Sequence, residues 1–220
     1  MTDKLRMRFK KTGRAIYISH LDLMKTMQRA FSRADYPLKY SEGFNPRPQI
    51  SIALPLSVGT GSVCELMDFK IKDEVPPQKL VENLNMSLPE GIEVLEVYEP
   101  QRKASALKWL EIGGVMEYDE RDITKMAEKL TEFYSAPELV IIKKTKRGEG
   151  EADIKPAIRK ISFEPDGDCV KLHAIISAQE PTLNPELLTE ALRQRAPEIA
   201  PDFAKYIRLE TYDADMKVFR

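Results

Sequence analysis

The chain has 220 residues, 42% of them hydrophobic and 31% charged, and no apolar run approaches the length of a membrane span, which excludes a transmembrane protein. Its two cysteines are too few for a disulfide framework or an iron–sulfur cluster, and its first residues lack a signal peptide's apolar segment, so we expect a cytoplasmic protein. The formal net charge of -1 excludes a uniformly basic nucleic-acid-binding protein, but residues 1–50 hold eleven Lys and Arg against four acids, which predicts a local anion-binding surface.

Alternating apolar and basic residues predict a first strand over residues 4–10. Its apolar side would pack under helices, so we expect the opposite, basic face of the sheet to be uncovered. Such a face binds single-stranded RNA through phosphate contacts and base stacking. The alternative is that this face packs on the second half of the chain, with its charges at the rim or paired with acids. The residues concerned are Lys4, Arg6, Arg8 and Lys10.

A capped amphipathic helix is predicted over residues 20–34, with Ser19 as its N-cap and its end set by Pro37. Its solvent face would carry a basic stripe of Lys25, Arg29 and Arg33. His20 lies in the first turn, near the apolar face. We favour a satisfied, half-buried imidazole there over a catalytic base, so His20 is a candidate only.

A proline-stiffened loop follows the helix at residues 40–48. Tyr40, Phe44, Asn45 and Arg47 could present aromatic rings, an amide and a cation to a base or a small ligand. The alternative is a structural crossover in which Phe44 fills a core.

The remaining pattern predicts an α+β fold of two tandem ferredoxin-like (βαββαβ) units with antiparallel sheets, at residues 1–100 and 101–220. In the first unit, strands at 50–54 and 63–71, a helix opening at Pro76-Pro77 and a strand at 92–98 complete the order. In the second, we expect strands at 107–118 and 139–143 with a helix at 121–134 between them. A flexible loop at 145–151, a hairpin of 158–163 and 169–177, a helix capped by Asn184 and a strand at 206–212 follow.

Several catalytic and metal-binding motifs are missing from the sequence. It has no H-E-x-x-H, no paired C-x-x-C, no G-x-S-x-G and no three-cysteine run of the kind that holds a radical-SAM cluster. We therefore expect no metal and no cofactor in this chain, and we assign no catalytic residue.

Three segments resemble motifs of the radical SAM-linked (radical SAM-associated) protein family, a bacterial domain of unknown function. The first covers Ser19-His20-Leu21-Asp22, Arg29, Arg33-Ala34, Pro37 and the run from Tyr40 to Pro48, and Leu54-Pro55-Leu56, Gly59 and Glu65 continue it. Asp153-Ile154-Lys155-Pro156 is similar to the second motif. The segment from Leu183 to Leu192 is similar to the third, which usually has Arg where this chain has Asn184.

The resemblance implies an accessory to a separate radical-SAM protein, which would itself carry the iron–sulfur cluster and S-adenosylmethionine. Members of the family are encoded beside or fused to such a protein, often near ribonuclease and ribosomal-protein genes, which suggests tRNA- or ribosome-related modification. Our preferred hypothesis is a non-catalytic module that binds RNA or presents substrate. Its candidate contacts are Lys4, Arg6, Arg8, His20, Arg29, Arg33, Tyr40, Phe44, Asn45 and Arg47.

Two other classes of function stay open. One is an RNA-processing enzyme with His20 as general base, because the duplicated arrangement is also similar to that of CRISPR repeat-processing endonucleases, some of which use a histidine. The other is a protein–protein scaffold whose basic face meets an acidic partner.

Overall fold

The structure is a computed structural model that describes residues 4–145 and 148–220. The chain divides into two compact units. The first extends to Ala106 and also takes in Arg220, and the second is Leu107–Phe219. Both combine helices with antiparallel strands, so the α+β class with antiparallel sheets is confirmed.

The first unit has a four-stranded sheet and two helices. Its elements are β1 (Leu5–Lys11), α1 (His20–Arg33), β2 (Ile50–Ala53), β3 (Gly61–Phe69), α2 (Pro77–Ser87) and β4 (Ile92–Tyr98). The strands lie in the order β4-β1-β3-β2, and every neighbouring pair is antiparallel. A short 3-10 turn, Gly13–Tyr17, connects β1 to α1.

The core of the first unit lies between one face of this sheet and the two helices. Met7 and Phe9 of β1 are fully buried there and belong to the same apolar cluster as Met27 and Phe31 of α1. Leu80 and Leu84 of α2 complete it. The alternation read from the sequence therefore identifies the covered face of β1 correctly.

Both ends of α1 follow local capping rules. The Ser19 hydroxyl accepts a hydrogen bond from the Asp22 amide at 3.2 Å, as predicted. At the other end, the Tyr36 amide donates to the Phe31 carbonyl at 2.9 Å and the Asp35 amide to the Ser32 carbonyl at 3.3 Å. These two bonds form a Schellman motif in which Asp35 takes the left-handed position, with φ 60°.

The second unit has four paired strands, two helices and a separate hairpin. Its elements are β5 (Trp109–Glu117), α3 (Ile123–Ser135), β6 (Val140–Thr145), β7 (Gly148–Asp153), β8 (Ile158–Asp166), β9 (Cys169–Ser177), α4 (Glu186–Arg195) and β10 (Phe203–Tyr212). The order β10-β5-β9-β8 is antiparallel throughout, and β6 pairs only with β7 among the described strands. The hydroxyl of Tyr134 in α3 donates to the Leu188 carbonyl of α4 at 2.6 Å, which holds the two helices together.

The prediction of a flexible loop at 145–151 is wrong for the residues of that range that the structure describes. Gly148–Asp153 is a strand, because its backbone pairs with β6 over the whole length of the hairpin. Lys146 and Arg147 lie outside the described residues. The Gln194 side chain of α4 then binds both backbone groups of Ile142, accepting from its amide at 2.8 Å and donating to its carbonyl at 3.1 Å. The hairpin is thereby joined to α4 through its backbone.

Of the helices in the described ranges, none is long and apolar enough to cross a membrane.

Candidate functional site

The loop at residues 41–47 is closed at its base by backbone contacts. The Ser41 amide donates to the Arg47 carbonyl at 2.8 Å, and the Arg47 amide donates to the Ser41 hydroxyl at 3.0 Å. One step further out, Tyr40 and Pro48 form an antiparallel bridge. Gly43 turns the chain with φ 114°, a conformation that glycine adopts readily and other residues do not. The tip is therefore held out on a short, closed stem.

The side chains of this 41–47 loop point into solvent. Phe44 is 106% exposed relative to an extended reference, and Tyr40, at the stem, is 55% exposed. Asn45 and Arg47 are exposed as well. The interpretation of Phe44 as a core residue is therefore wrong, because none of the residues that the structure describes covers its ring.

The basic stripe of α1 is exposed, so the predicted amphipathic helix is confirmed. Lys25 lies 3.7 Å from Asp22 in an ion pair that is itself open to solvent. Arg29 is exposed. Arg33 donates to the Ser87 carbonyl at the end of α2, which fixes part of its side chain. Whether these cations contact RNA stays a prediction.

His20 begins α1 and is partly buried. Its Nδ1 atom is shielded from solvent and has no hydrogen-bond partner in the described part of the chain. A general base is normally oriented by a hydrogen bond to its second nitrogen, and no such group is found for His20 among those residues. The predicted half-burial of His20 is confirmed, but the prediction of a satisfied imidazole is wrong for Nδ1, and His20 remains a candidate without a visible catalytic partner in the described residues.

The basic side of β1 is largely neutralised by the first unit's own acids. Arg6 is only 1% exposed, and its Nε lies 2.6 Å from Oδ1 of Asp68, the residue directly opposite it on β3. Lys4 places its Nζ 2.6 Å from Oδ2 of the same carboxylate. Burial acts to raise the pKa of Asp68, but hydrogen bonds and charges from Arg6 and Lys4 outweigh it and hold that pKa below its ordinary value.

The prediction that all four strand cations line an uncovered face therefore needs correction. Arg6 cannot contact RNA from this position, because it is buried and paired. Lys10 pairs with Glu93 on β4 at 2.5 Å, and Arg8 is partly buried. Sequence reasoning also missed Lys11, whose Nζ donates to the Ile16 carbonyl. Burial lowers the pKa of Lys11, although the negative charge of Glu65 acts to raise it.

A small groove lies where α1 ends and the loop stem begins. It has a volume of about 260 Å³ and an apolar floor of buried Phe31, Tyr36 and Leu38. Its polar rim is formed by Gln28, Ser32, Asp35, Tyr40 and Lys72. Of the predicted contacts, the groove includes Tyr40 but not His20, Asn45 or Arg47. His20 is at the opposite end of the 14-residue helix, so about 20 Å of helix separates it from this groove.

The second unit holds a polar cluster that sequence reasoning did not assign. Glu111 on β5 accepts hydrogen bonds from the Tyr212 hydroxyl at 2.5 Å and contacts His173 Nε2 at 2.7 Å. Burial acts to raise the pKa of Glu111, but these two partners outweigh it and lower the pKa. Nearby on the sheet, Trp109 lies opposite Tyr212, and the Arg159 guanidinium is 5.3 Å from the Trp109 ring centroid.

The period-two alternation of β5 carries a signal for this cluster, because it puts Trp109 and Glu111 on the same side of the strand. The pairing with His173 and Tyr212 could not be read from the sequence. It depends on the registers of β9 and β10, which lie 60 or more residues away in the chain.

The second family-like motif has a structural role in this fold. The Asp153 carboxylate accepts from the Leu139 and Lys155 amides, each at 2.9 Å, and so closes the base of the β6–β7 hairpin. In the third, the Asn184 side-chain oxygen accepts from the Glu186 amide at 3.3 Å at the start of α4. Within residues 4–145 and 148–220, no group of three or more His, Cys, Asp or Glu is placed to hold a metal ion.

Comparison with one solved structure supports the fold. The chain is similar to a chain in the crystal structure of a Cbf5–Nop10–Gar1 complex, with a TM-score of 0.53 and 10% identity, over 94% of this chain and 48% of that one. A second similar structure, an unknown protein from Galdieria sulphuraria, has 8% identity over 93% of this chain and 97% of that one, with a TM-score of 0.27. At these identities the first likeness shows the fold alone.

No curated protein matches the sequence. One family model does match, over residues 4–185, and its description is "uncharacterized protein conserved in bacteria (DUF2344)". This match includes the loop, the basic helix and the hairpin of the second unit. The chain therefore belongs to this family of uncharacterized bacterial proteins.

Proposed function

We propose that the first unit binds single-stranded RNA through the 41–47 loop and the basic stripe of α1. The observation that carries the proposal is the fully exposed ring of Phe44, held on a closed stem beside Asn45 and Arg47. Burying a phenyl ring is worth about 1.5–3 kcal/mol, which an isolated fold forgoes when it leaves the ring in water. Stacking of a base on an aromatic ring returns a similar amount, about 1–3 kcal/mol.

The exposed cations of the first unit suit the same ligand. Arg47 lies in the loop itself, and Arg29 projects from the exposed face of α1. Phosphate contacts from such cations give RNA affinity that falls as salt rises. The strand cations that are paired within the fold are not part of the proposed interface, apart from Lys4, whose side chain is 46% exposed despite its ion pair with Asp68.

The RNA-binding unit would act in the cytoplasm as an accessory to a separate radical-SAM protein. This part of the proposal rests on the sequence resemblance of the 19–48 segment to radical SAM-linked proteins. The iron–sulfur cluster and S-adenosylmethionine would be bound by that partner. The antiparallel order of each unit also supports describing both as ferredoxin-like, the second with the β6–β7 hairpin inserted after α3.

The proposal is tested by titrating purified protein with single-stranded RNA by isothermal titration calorimetry at several salt concentrations. We expect Phe44→Ala to weaken binding about tenfold, and Arg47→Gln to weaken it and reduce the salt slope by about 1. The matched control is Phe203→Ala, which removes a 47% exposed phenyl ring from the second unit and should leave binding unchanged.

The RNA titrations, together with assays of RNA cleavage and of complex formation with the radical-SAM protein, separate the three classes of function. Salt-dependent binding that survives His20→Ala without RNA turnover supports the binding module. Cleavage that is lost in His20→Ala while binding persists would instead establish the RNA-processing enzyme. Absence of RNA affinity at low salt, together with a stable complex with the radical-SAM protein, would overturn RNA binding in favour of the scaffold.

A further inference from the structure

Asp35 occupies a position that disfavours an aspartate on two counts. It is the left-handed residue of the Schellman motif that ends α1, with φ 60°, where glycine and asparagine are preferred. It also puts a negative charge at the helix C-terminus, which already carries partial negative charge from unpaired carbonyls. By contrast, Asp22 and Asp122 lie at helix N-termini, where the same charge is favourable. Residues that break local rules in this way often mark a functional site.

The Asp35 carboxylate also has no structural task within the described fold. Among residues 4–145 and 148–220, its side chain forms no hydrogen bond and no ion pair. Asp68 and Asp153, in comparison, bind Arg6 and two backbone amides respectively. The carboxylate is therefore free to accept hydrogen bonds from a ligand.

The groove that Asp35 borders has the size and lining for one nucleobase. Its volume of about 260 Å³ lies just below the range of about 300–1,000 Å³ that is usual for ligand sites, which excludes large ligands. The apolar floor of Phe31, Tyr36 and Leu38 suits the face of a planar ring, and the polar rim suits its edge. Tyr40 belongs both to this rim and to the stem of the 41–47 loop, so one RNA strand could contact both places.

We infer that the groove binds a single guanine of the RNA, with Asp35 accepting hydrogen bonds from its Watson–Crick edge; this inference rests on the RNA binding proposed above. An ionised carboxylate has only acceptors, so it needs a partner edge with two adjacent donors. Guanine offers N1–H and the N2 amino group side by side. On the Watson–Crick edges of adenine, cytosine and uracil, the donor has an acceptor as its neighbour. A carboxylate bound there would have one oxygen facing the lone pair of that acceptor.

Two further side chains complete the site. Tyr40 supplies an aromatic ring for stacking against the guanine. Lys72, which also lines the groove, supplies a cation for the adjoining phosphate. Gln28 and Ser32 lie on the α1 side of the groove, where they can contact the remaining base edge.

The test compares two RNA hexanucleotides by isothermal titration calorimetry, one all uridine and one with a single central guanosine. We expect the wild-type protein to bind the guanosine oligonucleotide about tenfold more tightly. Asp35→Asn keeps a side chain that tolerates the left-handed conformation, so it should fold, retain affinity for the uridine oligonucleotide and lose the guanosine preference. Glu74→Gln removes one exposed acid from the same unit and should keep that preference.

Each outcome decides one of the two proposals. Loss of the guanosine preference in Asp35→Asn alone supports the groove as a guanine site. Equal binding of both oligonucleotides by the wild type, or a preference that survives Asp35→Asn, overturns the guanine site and leaves RNA binding by the loop intact. Failure of the wild type to bind either oligonucleotide overturns the RNA-binding proposal itself.

Discussion

Arg6 brings a guanidinium into the interior of the first unit, and Asp68 meets it from the neighbouring strand. The pair is bidentate, with Nε 2.6 Å and Nη2 3.1 Å from the two carboxylate oxygens. Removing one member of such a buried pair leaves the other charge without compensation, which is far more destabilising than losing an exposed pair. The fold of the first unit therefore depends on Asp68 more than on any surface acid.

We expect Asp68→Ala to lower the free energy of unfolding by about 3–5 kcal/mol, because Arg6 then stays buried without its carboxylate. Urea unfolding followed by circular dichroism measures the change. The control is Glu74→Ala, an exposed acid of the same unit, which should change stability by less than about 0.5 kcal/mol. Equal effects of the two substitutions would contradict the structural role of the pair.

The same pair predicts a dependence of stability on acid. The pKa of Asp68 is depressed in the folded protein relative to its ordinary value of 3.8. The contribution of Asp68 to the free energy of unfolding is therefore complete at pH values above its pKa in the unfolded chain. It is lost as the pH falls through its pKa in the folded protein, at pH values below about 4. Urea midpoints measured between pH 7 and pH 3 should fall more steeply for the wild type than for Asp68→Asn, and parallel curves would disprove the assignment.

Unlike Asp68, Asp35 is expected to lower the stability of the first unit. We expect Asp35→Gly to raise the free energy of unfolding by about 0.5–1 kcal/mol, because glycine adopts the left-handed conformation freely and removes the charge from the helix C-terminus. Asp35→Asn should give a smaller gain. Thermal unfolding followed by circular dichroism tests both, and a loss of stability in either variant would mean that the aspartate stabilises the helix end.

Among the elements, α1, β4 and β9 were the most predictable, and β9 was predicted at 169–177, its observed range. The apolar period, the Ser19 cap and Pro37 bound α1 to within one residue, and β4 was predicted at Ile92–Tyr98, its observed range. In the β6–β7 hairpin, β6 was predicted as a strand at 139–143, but β7 was not predictable, because it buries almost none of its side chains and is rich in glycine and glutamate. The backbone of β7 pairs with β6, and β6 in turn binds the Gln194 side chain. A sequence pattern shows neither of these contacts.

The joint between the hairpin and α4 can be tested directly. Gln194→Ala removes two hydrogen bonds to the Ile142 backbone, so we expect the Ile142 amide to exchange with solvent roughly fivefold faster, as the loss of about 1 kcal/mol implies. Hydrogen exchange followed by NMR measures this. Arg193→Ala, on the same helix, removes a side chain whose ion-pair partner is Glu190 and should leave that amide unchanged.

At the scale of the whole molecule, the order of elements could be predicted, but the pairing of charges could not. Alternation placed Arg6 on the correct side of β1, yet it gave no information about Asp68, which lies 62 residues further along the chain. The candidate loop was more accessible to sequence reasoning, because Gly43, Pro46 and Pro48 define it locally. The groove beside it joins α1 to residues as distant as Lys72, so only the fold brings its rim together.

Trp109 is the chain's single tryptophan, and it lies in the second unit under the Arg159 guanidinium. Intrinsic fluorescence excited at the indole band therefore reports on the surroundings of Trp109 in the second unit. An emission trace that stays native while the Asp68→Ala variant loses ellipticity would localise the damage without any added label. The protein thus carries a built-in optical probe for one half of its chain.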